Sequence, residues 1–191
     1  MATNHEVNDV GPQILDHLIG QKSAIERVRV ALEASWNTAS RFPHALFVGP
    51  AGVGKSALAK VVALEMGCEI RETLGQSLSS PSSLRALLVE AKDRECIFID
   101  ECDELGQQIQ TLLYRALEER KLFLPSGGGK QTMIPLANFT LLAACNNEFQ
   151  LAAPLRDRFK LSVRFEFYSV PELEQIVRQP TPASMARTRA G

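Results

Sequence analysis

GPAGVGKS, the stretch from Gly49 to Ser56, fits the phosphate-loop pattern G-x-x-x-x-G-K-S/T at every fixed position. The apolar run HALFV (His44–Val48) precedes it and predicts a buried strand, whereas ALAKVVALEMG follows it with the apolar spacing of a helix. Strand, glycine-rich loop and helix form the context in which such a loop binds phosphate. Its backbone N–H groups and the helix N-terminus would then point at phosphate oxygens.

Two side chains of this stretch suit a nucleoside triphosphate site. Lys55 is long enough to reach the β- and γ-phosphates, and the Ser56 hydroxyl can ligate Mg²⁺. The alternative is a chance glycine-rich turn before a helix. We favour the phosphate loop because all fixed positions and both flanks fit.

Length and composition indicate one domain with at most a small appendage. The chain has 191 residues, 45% of them hydrophobic, which is enough to bury a core. Its formal net charge of −1 is not the strongly basic balance of a free-standing nucleic-acid binder, although a local basic face stays open. We see no apolar signal segment and no run of membrane-spanning length, so we expect a cytoplasmic protein with no membrane partner.

The four cysteines do not have the spacing of a zinc site. No C-x-x-C is present, and no paired Cys/His pattern accompanies them. Cys68, Cys96 and Cys145 lie in or beside apolar strands, so we expect buried, reduced thiols.

Strands and helices alternate along the chain and predict an α/β fold, a parallel sheet with helices on both faces. The predicted strands are His44–Val48, Cys68–Gly75, Cys96–Glu101, Asn138–Asn147 and Leu161–Tyr168. Helices are predicted up to Asn37, after the phosphate loop, after the Ser80 cap, over Gln107–Glu119 and from Pro171. We expect a loose N-terminus over residues 1–14, one domain over 15–178 and a disordered tail over 179–191.

A β-hairpin is predicted between the fourth helix and the Asn138–Asn147 strand. Its arms are Leu122–Leu124 and Thr132–Leu136, and its tip is Gly127–Lys130.

CIFIDE (Cys96–Glu101) ends in two carboxylates at the carboxyl end of a core strand, where open α/β sheets bind ligands. Asp100 can hold Mg²⁺, and Glu101 can orient or deprotonate an attacking water. Many strands end in acidic residues, so the pattern gains meaning only beside the phosphate loop upstream.

Two further polar sites, Asn146 and the pair Arg156 and Arg158, have either a functional or a purely structural role. Asn146 ends the next buried strand and could contact a γ-phosphate or water, or could be a satisfied loop asparagine. In LRDRF, Arg156 and Arg158 could stabilise charge on a transferring phosphoryl group, or could form a solvated turn.

With these residues in hand, the chain resembles the AAA+ ATPases and, more closely, the RuvB family of Holliday-junction branch-migration motors. The likeness rests on LDHLIGQ, the phosphate loop with its helix, the hairpin, and the run FTLLAAC…LAAPLRDRF…RFEFY. It implies the large ATPase subdomain of a P-loop NTPase with a β-hairpin insertion, and ATP with Mg²⁺ as its ligands.

The resemblance also implies roles for particular residues. The adenine would be bordered by Leu18–Gln21, including Ile19, with Tyr168 near the nucleotide. The phosphates would be bound by Gly52, Val53, Gly54, Lys55, Ser56 and Ala57. Asp100 and Glu101 would be the Walker B pair and Asn146 the first sensor. Arg158 would be an arginine finger that reaches a neighbouring subunit, with Arg156 supporting it.

Several positions depart from the family pattern. Cys102 stands in place of histidine, Cys145-Asn146 in place of a Thr-Thr pair, Ser56 in place of threonine and Leu18 in place of tyrosine. The hairpin is a few residues shorter. We also expect the helical lid and the winged-helix DNA-binding domain of the family to be missing from this sequence.

Two functions follow as expectations. The first is an ATP-hydrolysing domain of a RuvB-like Holliday-junction helicase in DNA recombination and repair. It would assemble into a hexameric ring and act with four-way-junction DNA and a RuvA-like protein. The alternative is a non-motor AAA+ switch or adaptor, or a truncated fragment, that binds ATP without autonomous helicase activity.

Overall fold

Five parallel strands form the central sheet of this computed structural model, which describes residues 11–125 and 131–178. The strands are β1 (Ala45–Val48), β2 (Ile70–Leu74), β3 (Cys96–Asp100), β6 (Thr140–Cys145) and β7 (Leu161–Arg164), in the order β2-β3-β6-β1-β7. The predicted parallel α/β fold is therefore confirmed. Because β1 lies between β6 and β7, the phosphate loop leaves the sheet from its interior.

Helices cover both faces of the sheet. They are α1 (Lys22–Asn37), α2 (Lys55–Glu65), α3 (Pro81–Val89), α4 (Gln107–Glu119), α5 (Ala153–Arg156) and α6 (Val170–Arg178). One buried apolar cluster joins the sheet to α3, α4 and α5, and the other joins it to α1 and α2. Ser80 caps α3 as predicted, since its hydroxyl accepts a hydrogen bond from the Ser83 N–H at 3.2 Å. No helix in the described ranges combines the length and apolar character needed to cross a bilayer.

The hairpin is present as an antiparallel pair of its own. Its strands are β4 (Lys121–Pro125) and β5 (Gln131–Pro135), and the predicted tip at Gly127–Lys130 lies outside the described residues. Leu122 is buried in the core, whereas Phe123 and Met133 pair on the other face and are 42% and 56% exposed. The hairpin is therefore anchored at its base and presents an apolar pair outward.

Each of the five predicted sheet strands is longer than the strand observed; the predicted Asn138–Asn147, for example, is β6 over Thr140–Cys145 only. β7 ends at Arg164 rather than Tyr168, because its partner β1 turns into the phosphate loop after Val48 and offers no further strand. The Gln21 side chain then replaces a strand partner, since its amide bonds both the N–H and the carbonyl of Glu166. β2 is likewise shorter than the predicted Cys68–Gly75.

The expected burial of the thiols is wrong for Cys68. It is half-buried in the turn after α2, where its Sγ lies 3.4 Å from the Met66 carbonyl. Cys96, Cys102 and Cys145 are buried and unbridged. In α1, Val28 and Leu32 face the core, whereas Trp36 is 50% exposed.

A buried histidine lies at the edge of the sheet where β1 begins. His44 Nδ1 accepts a hydrogen bond from the Leu141 N–H at 2.8 Å, so the ring is held as neutral imidazole. Burial and, after it, the nearby charges of Arg41, Arg120 and Lys160 lower the pKa of His44 to about 3. Protonation of this ring therefore opposes folding.

We predict that His44 makes the protein less stable as pH falls below 6.5, the ordinary pKa of histidine. There the unfolded chain takes up a proton that the folded chain does not, so stability is full above that value. It then falls by up to about 1.4 kcal/mol per pH unit. Denaturant unfolding measured from neutral pH down to about pH 5, above most carboxylate titrations, checks this. His44→Gln, whose amide oxygen can still accept the Leu141 N–H, should flatten the slope. Equal slopes in the two proteins would contradict the assignment.

Candidate nucleotide site

The phosphate loop encloses the ammonium group of Lys55. Lys55 Nζ donates to the carbonyls of Gly49 at 2.6 Å and Pro50 at 2.7 Å, and to Asn146 Oδ1 at 3.1 Å. Burial lowers the pKa of Lys55, an effect that the charge of Asp100 opposes. Gly54 has a φ of +92°, a conformation that favours glycine and turns the chain directly into α2.

The loop and the end of β3 meet through Ser56 and Asp100. Ser56 Oγ donates to Asp100 Oδ2 at 2.7 Å, while Asp100 Oδ1 accepts the Glu101 N–H at 2.9 Å. A hydroxyl and a carboxylate oxygen at this separation are the type of oxygen donors that Mg²⁺ prefers. The predicted metal residues therefore fit the ion.

Glu101 follows β3 in the left-handed region, with a φ of +51°. This is an uncommon conformation for a residue with a side chain. Its carbonyl is packed against Gly75, where an added Cβ would lie 2.2 Å from that oxygen. Glycine at the end of β2 is thus required for the turn that places Glu101 beside the loop.

Most of the predicted site residues line one cavity of about 230 Å³. It is lined by Ala51, Gly52, Gly54, Lys55, Ser56, Ala57, Asp100, Glu101 and Asn146. The parallel strands β1, β3 and β6 deliver these residues to one edge of the sheet, as the position of the motifs predicts. Three sequence motifs that are far apart in the chain thus share one space.

Asp103 fixes the position of Asn146. Its Oδ2 accepts the N–H groups of Asn146 at 3.0 Å and Asn147 at 3.1 Å, while its Oδ1 is buried without a hydrogen-bond partner among the described residues. Asp103 therefore joins the turn after β3 to the end of β6. Sequence analysis missed this residue, since one more acidic residue just after CIFIDE belongs to no motif.

The predicted base-binding residues form a separate, narrow cavity of about 10 Å³. Its walls include Leu18, Ile19, Val53, Gly54 and Tyr168. The Tyr168 hydroxyl donates to the Val53 carbonyl at 3.0 Å and so closes this space against the phosphate loop. The volume is about that of one water-sized probe. A wider cavity of about 300 Å³ lies beside the start of α2, against Pro12, Gln13 and Lys60.

The two arginines of LRDRF do not line the phosphate cavity. Arg158 forms an ion pair with Glu118 of α4 at 2.8 Å, and its buried Nε has no hydrogen-bond partner among the described residues. The Arg156 guanidinium lies 5.6 Å from the centre of the Phe149 ring. Neither arginine therefore contributes to the phosphate cavity of its own chain.

Gln110 holds the arginine segment against α4. This residue is 5% exposed; its Nε2 donates to the Leu105 carbonyl at 2.8 Å, and its Oε1 accepts the Ala152 N–H at 2.7 Å. Like Glu118, Gln110 was missed because α4 reads from sequence only as an amphipathic helix.

The comparisons with known proteins agree with this geometry. A family model described as the Holliday junction DNA helicase RuvB P-loop domain matches residues 10–165. The chain belongs to the RuvB family. RuvB of Thermotoga maritima, described as a Holliday junction branch migration motor, is 32% identical with a TM-score of 0.79, over 88% of this chain and 53% of that one. A point mutant of that protein is 32% identical with a TM-score of 0.80, over 88% of this chain and 54% of that one.

The resemblance and the P-loop NTPase fold predicted from the sequence are thus confirmed. Membership of this P-loop family implies a nucleotide and a divalent metal as ligands. The chain spans about half the length of the RuvB structures it matches. Two of its departures from the RuvB pattern, Cys102 and Cys145, lie in the same buried apolar cluster, where the neighbouring Cys145 thiol and burial raise the pKa of Cys102.

We predict that Asp103→Ala lowers the free energy of unfolding by about 1–3 kcal/mol, because the Asn146 and Asn147 N–H groups lose a charged acceptor. Chemical denaturation measures this loss. Glu104→Ala, an exposed carboxylate in the same turn, is the matched control and should be nearly neutral. An equal loss in both variants would show that Asp103 has no special positioning role.

Proposed function

We propose that this chain is the ATP-binding and ATP-hydrolysing domain of a RuvB-like branch-migration motor. One observation carries the proposal: Lys55 bonds Asn146 and Ser56 bonds Asp100 across a single cavity. The phosphate loop, the acidic end of β3 and the polar end of β6 are therefore already assembled. Family membership favours ATP over other nucleoside triphosphates.

Lys55 and the loop amides bind the triphosphate. In the structure the ammonium group is held by two loop carbonyls and by Asn146. An incoming phosphate oxygen competes for these protons, and as a charged acceptor it forms the stronger hydrogen bond. Asn146 is then free to orient an attacking water or to contact the terminal phosphate.

Glu101 orients the attacking water and accepts its proton. It lines the same cavity as Lys55, and the turn held by Gly75 aims it there. Ser56 and Asp100 would hold Mg²⁺, which neutralises the charge that develops on the phosphate oxygens.

Arg158 acts on the nucleotide of a neighbouring subunit. In the single chain Glu118 neutralises it and holds it outside its own phosphate cavity. Association of subunits would replace this pair by one between Arg158 and a phosphate, which requires an oligomer for full activity. A hexameric ring, four-way-junction DNA and a RuvA-like partner are proposed on family membership alone.

We expect Glu101→Gln to bind ATP normally but to stop hydrolysis, because the amide cannot take the proton of water.

Lys55→Ala should abolish detectable nucleotide binding, because the ammonium group that binds the phosphates is removed. Calorimetric titration with ATP and a phosphate-release assay separate the two effects. Hydrolysis by Glu101→Gln at the unmodified rate would disprove the assigned role.

We expect Arg158→Ala to bind ATP normally and to lower turnover by at least about 10³-fold, the lower end for an arginine finger. The loss should occur only at protein concentrations where the unmodified chain associates. Glu118→Gln is the matched variant, because it frees Arg158 without removing it and should retain or raise turnover. A loss in Arg158→Ala that does not depend on concentration would indicate a role within one subunit.

Hydrolysis measured over a range of protein concentrations, with and without four-way-junction DNA, tests the motor itself. Specific activity that rises with concentration, and rises further with the junction, supports it. Tight binding with negligible turnover under every condition would favour the switch or adaptor function instead.

A further inference from the structure

A second polar cavity lies at the opposite end of β1 from the phosphate loop. Its volume is about 20 Å³, and Arg41, His44 and Arg120 form its polar side. Leu117, Leu136 and Phe139 form the apolar side. Five residue steps separate His44 from Gly49, so the cavity lies on the order of 15 Å from the start of the phosphate loop.

The charges around this cavity are all positive. Within residues 11–125 and 131–178, no carboxylate lies within ion-pair distance of Arg41, Arg120 or Lys160. Burial and, after it, the charge of Arg120 lower the pKa of Arg41, so the two guanidinium groups oppose each other. Arg41 is half-buried without a counter-ion, a costly arrangement that an anion placed between it and the exposed Arg120 would relieve.

His44 cannot supply the acceptor that Arg41 needs. A neutral imidazole has one acceptor nitrogen, and the Leu141 N–H occupies Nδ1 at 2.8 Å. Nε2 must then carry the proton, yet Arg41 Nη2 lies only 3.2 Å from it. Arg41 otherwise donates to the Phe42 carbonyl at 3.2 Å. The guanidinium group is therefore left short of acceptors.

Two acidic groups at this end of the sheet, Asp93 and Glu95, are engaged elsewhere. Asp93 Oδ1 accepts the Asn138 N–H at 2.6 Å, and Asn138 Oδ1 in turn accepts Arg120 Nη2 at 2.8 Å. Glu95 is paired with Arg71 at 3.0 Å. Arg120 thus has one neutral acceptor, and none of the residues that line the cavity between it and Arg41 carries a negative charge.

We propose that this cavity binds the carboxylate of an acidic side chain from a partner polypeptide. Two guanidinium groups match the two oxygens of a carboxylate. The apolar wall of Leu117, Leu136 and Phe139 suits the methylene groups of that side chain, whereas a phosphate group has none to place there. The small volume has room for one or two water-sized groups, so only the carboxylate oxygens would enter it.

The cavity lies at the root of the hairpin, and the side chain of Arg120 on its border is exposed to a partner. The Leu136 N–H donates to the Arg120 carbonyl at 2.8 Å, so this backbone bond closes the β4–β5 pair and borders the cavity. The site does not depend on the proposed ATPase function, because no residue of the phosphate cavity takes part in it.

The test follows the His44 ring and Leu141 amide signals by NMR during titration of the full chain with sodium butyrate, sodium phosphate and sodium chloride. We expect butyrate to shift both signals saturably, and at lower concentration than phosphate or chloride. Arg41→Gln and Arg120→Gln should each weaken butyrate binding by at least about tenfold. Arg94→Gln, an exposed arginine at the same edge of the sheet, is the matched control and should change binding by less than about twofold.

A short capped peptide with glutamate as its only charged residue should compete with butyrate for the same signals, and the glutamine version should not. The proposal fails if butyrate acts no differently from chloride, or if Arg94→Gln weakens binding as much as Arg41→Gln. Tighter binding of phosphate than of butyrate would also overturn it and would assign the cavity to a phosphate-bearing ligand. Should Arg41→Gln fail to fold, Arg120→Gln and the peptide pair decide the question.

Discussion

The hydrogen bond from the Gly49 N–H to the Cys145 carbonyl, 3.1 Å long, is the last link between β1 and β6 before both strands end. From this point one chain wraps into the phosphate loop and the other continues into Asn146. Because Gly49 and Cys145 are hydrogen-bonded, the phosphate loop and Asn146 start from adjacent points of the sheet. Lys55 can therefore reach the side-chain oxygen of Asn146. The register of two buried strands thus sets the geometry of the chemistry.

The sheet thus positions the residues of the phosphate cavity, and α4 positions the arginine segment at the surface. One turn of the helix carries Gln110, which bonds the segment before α5, and its last turns carry Glu118, which pairs with Arg158. The same helix runs into Arg120 and the hairpin. The hairpin and the arginine segment are therefore both attached to one helix about 20 Å long.

The sequence predicts the parts of this molecule that are encoded locally. Glycine spacing, apolar strands and their polar ends are contiguous in the chain, so GPAGVGKS, CIFIDE and LLAACNN indicate both the fold and most of the cavity lining. Contacts between distant residues give no such signal. Asp103, Gln110 and Glu118 matter only because folding brings Asn146, Ala152 and Arg158 to them. The excess length predicted for β7 has the same origin, since the residues up to Tyr168 have strand-like composition but no strand to pair with.

β2, one of the two edge strands of the sheet, affects how the protein behaves in concentrated solution. An edge strand offers its free backbone groups to any other extended chain. Here the strand carries Arg71 and Glu72, which are tied into ion pairs with Glu95 and Lys60 at 3.0 and 3.1 Å. A foreign strand adding at this edge would have to lie among these charges and desolvate them. The charges on β2 therefore oppose aggregation through this edge of the sheet.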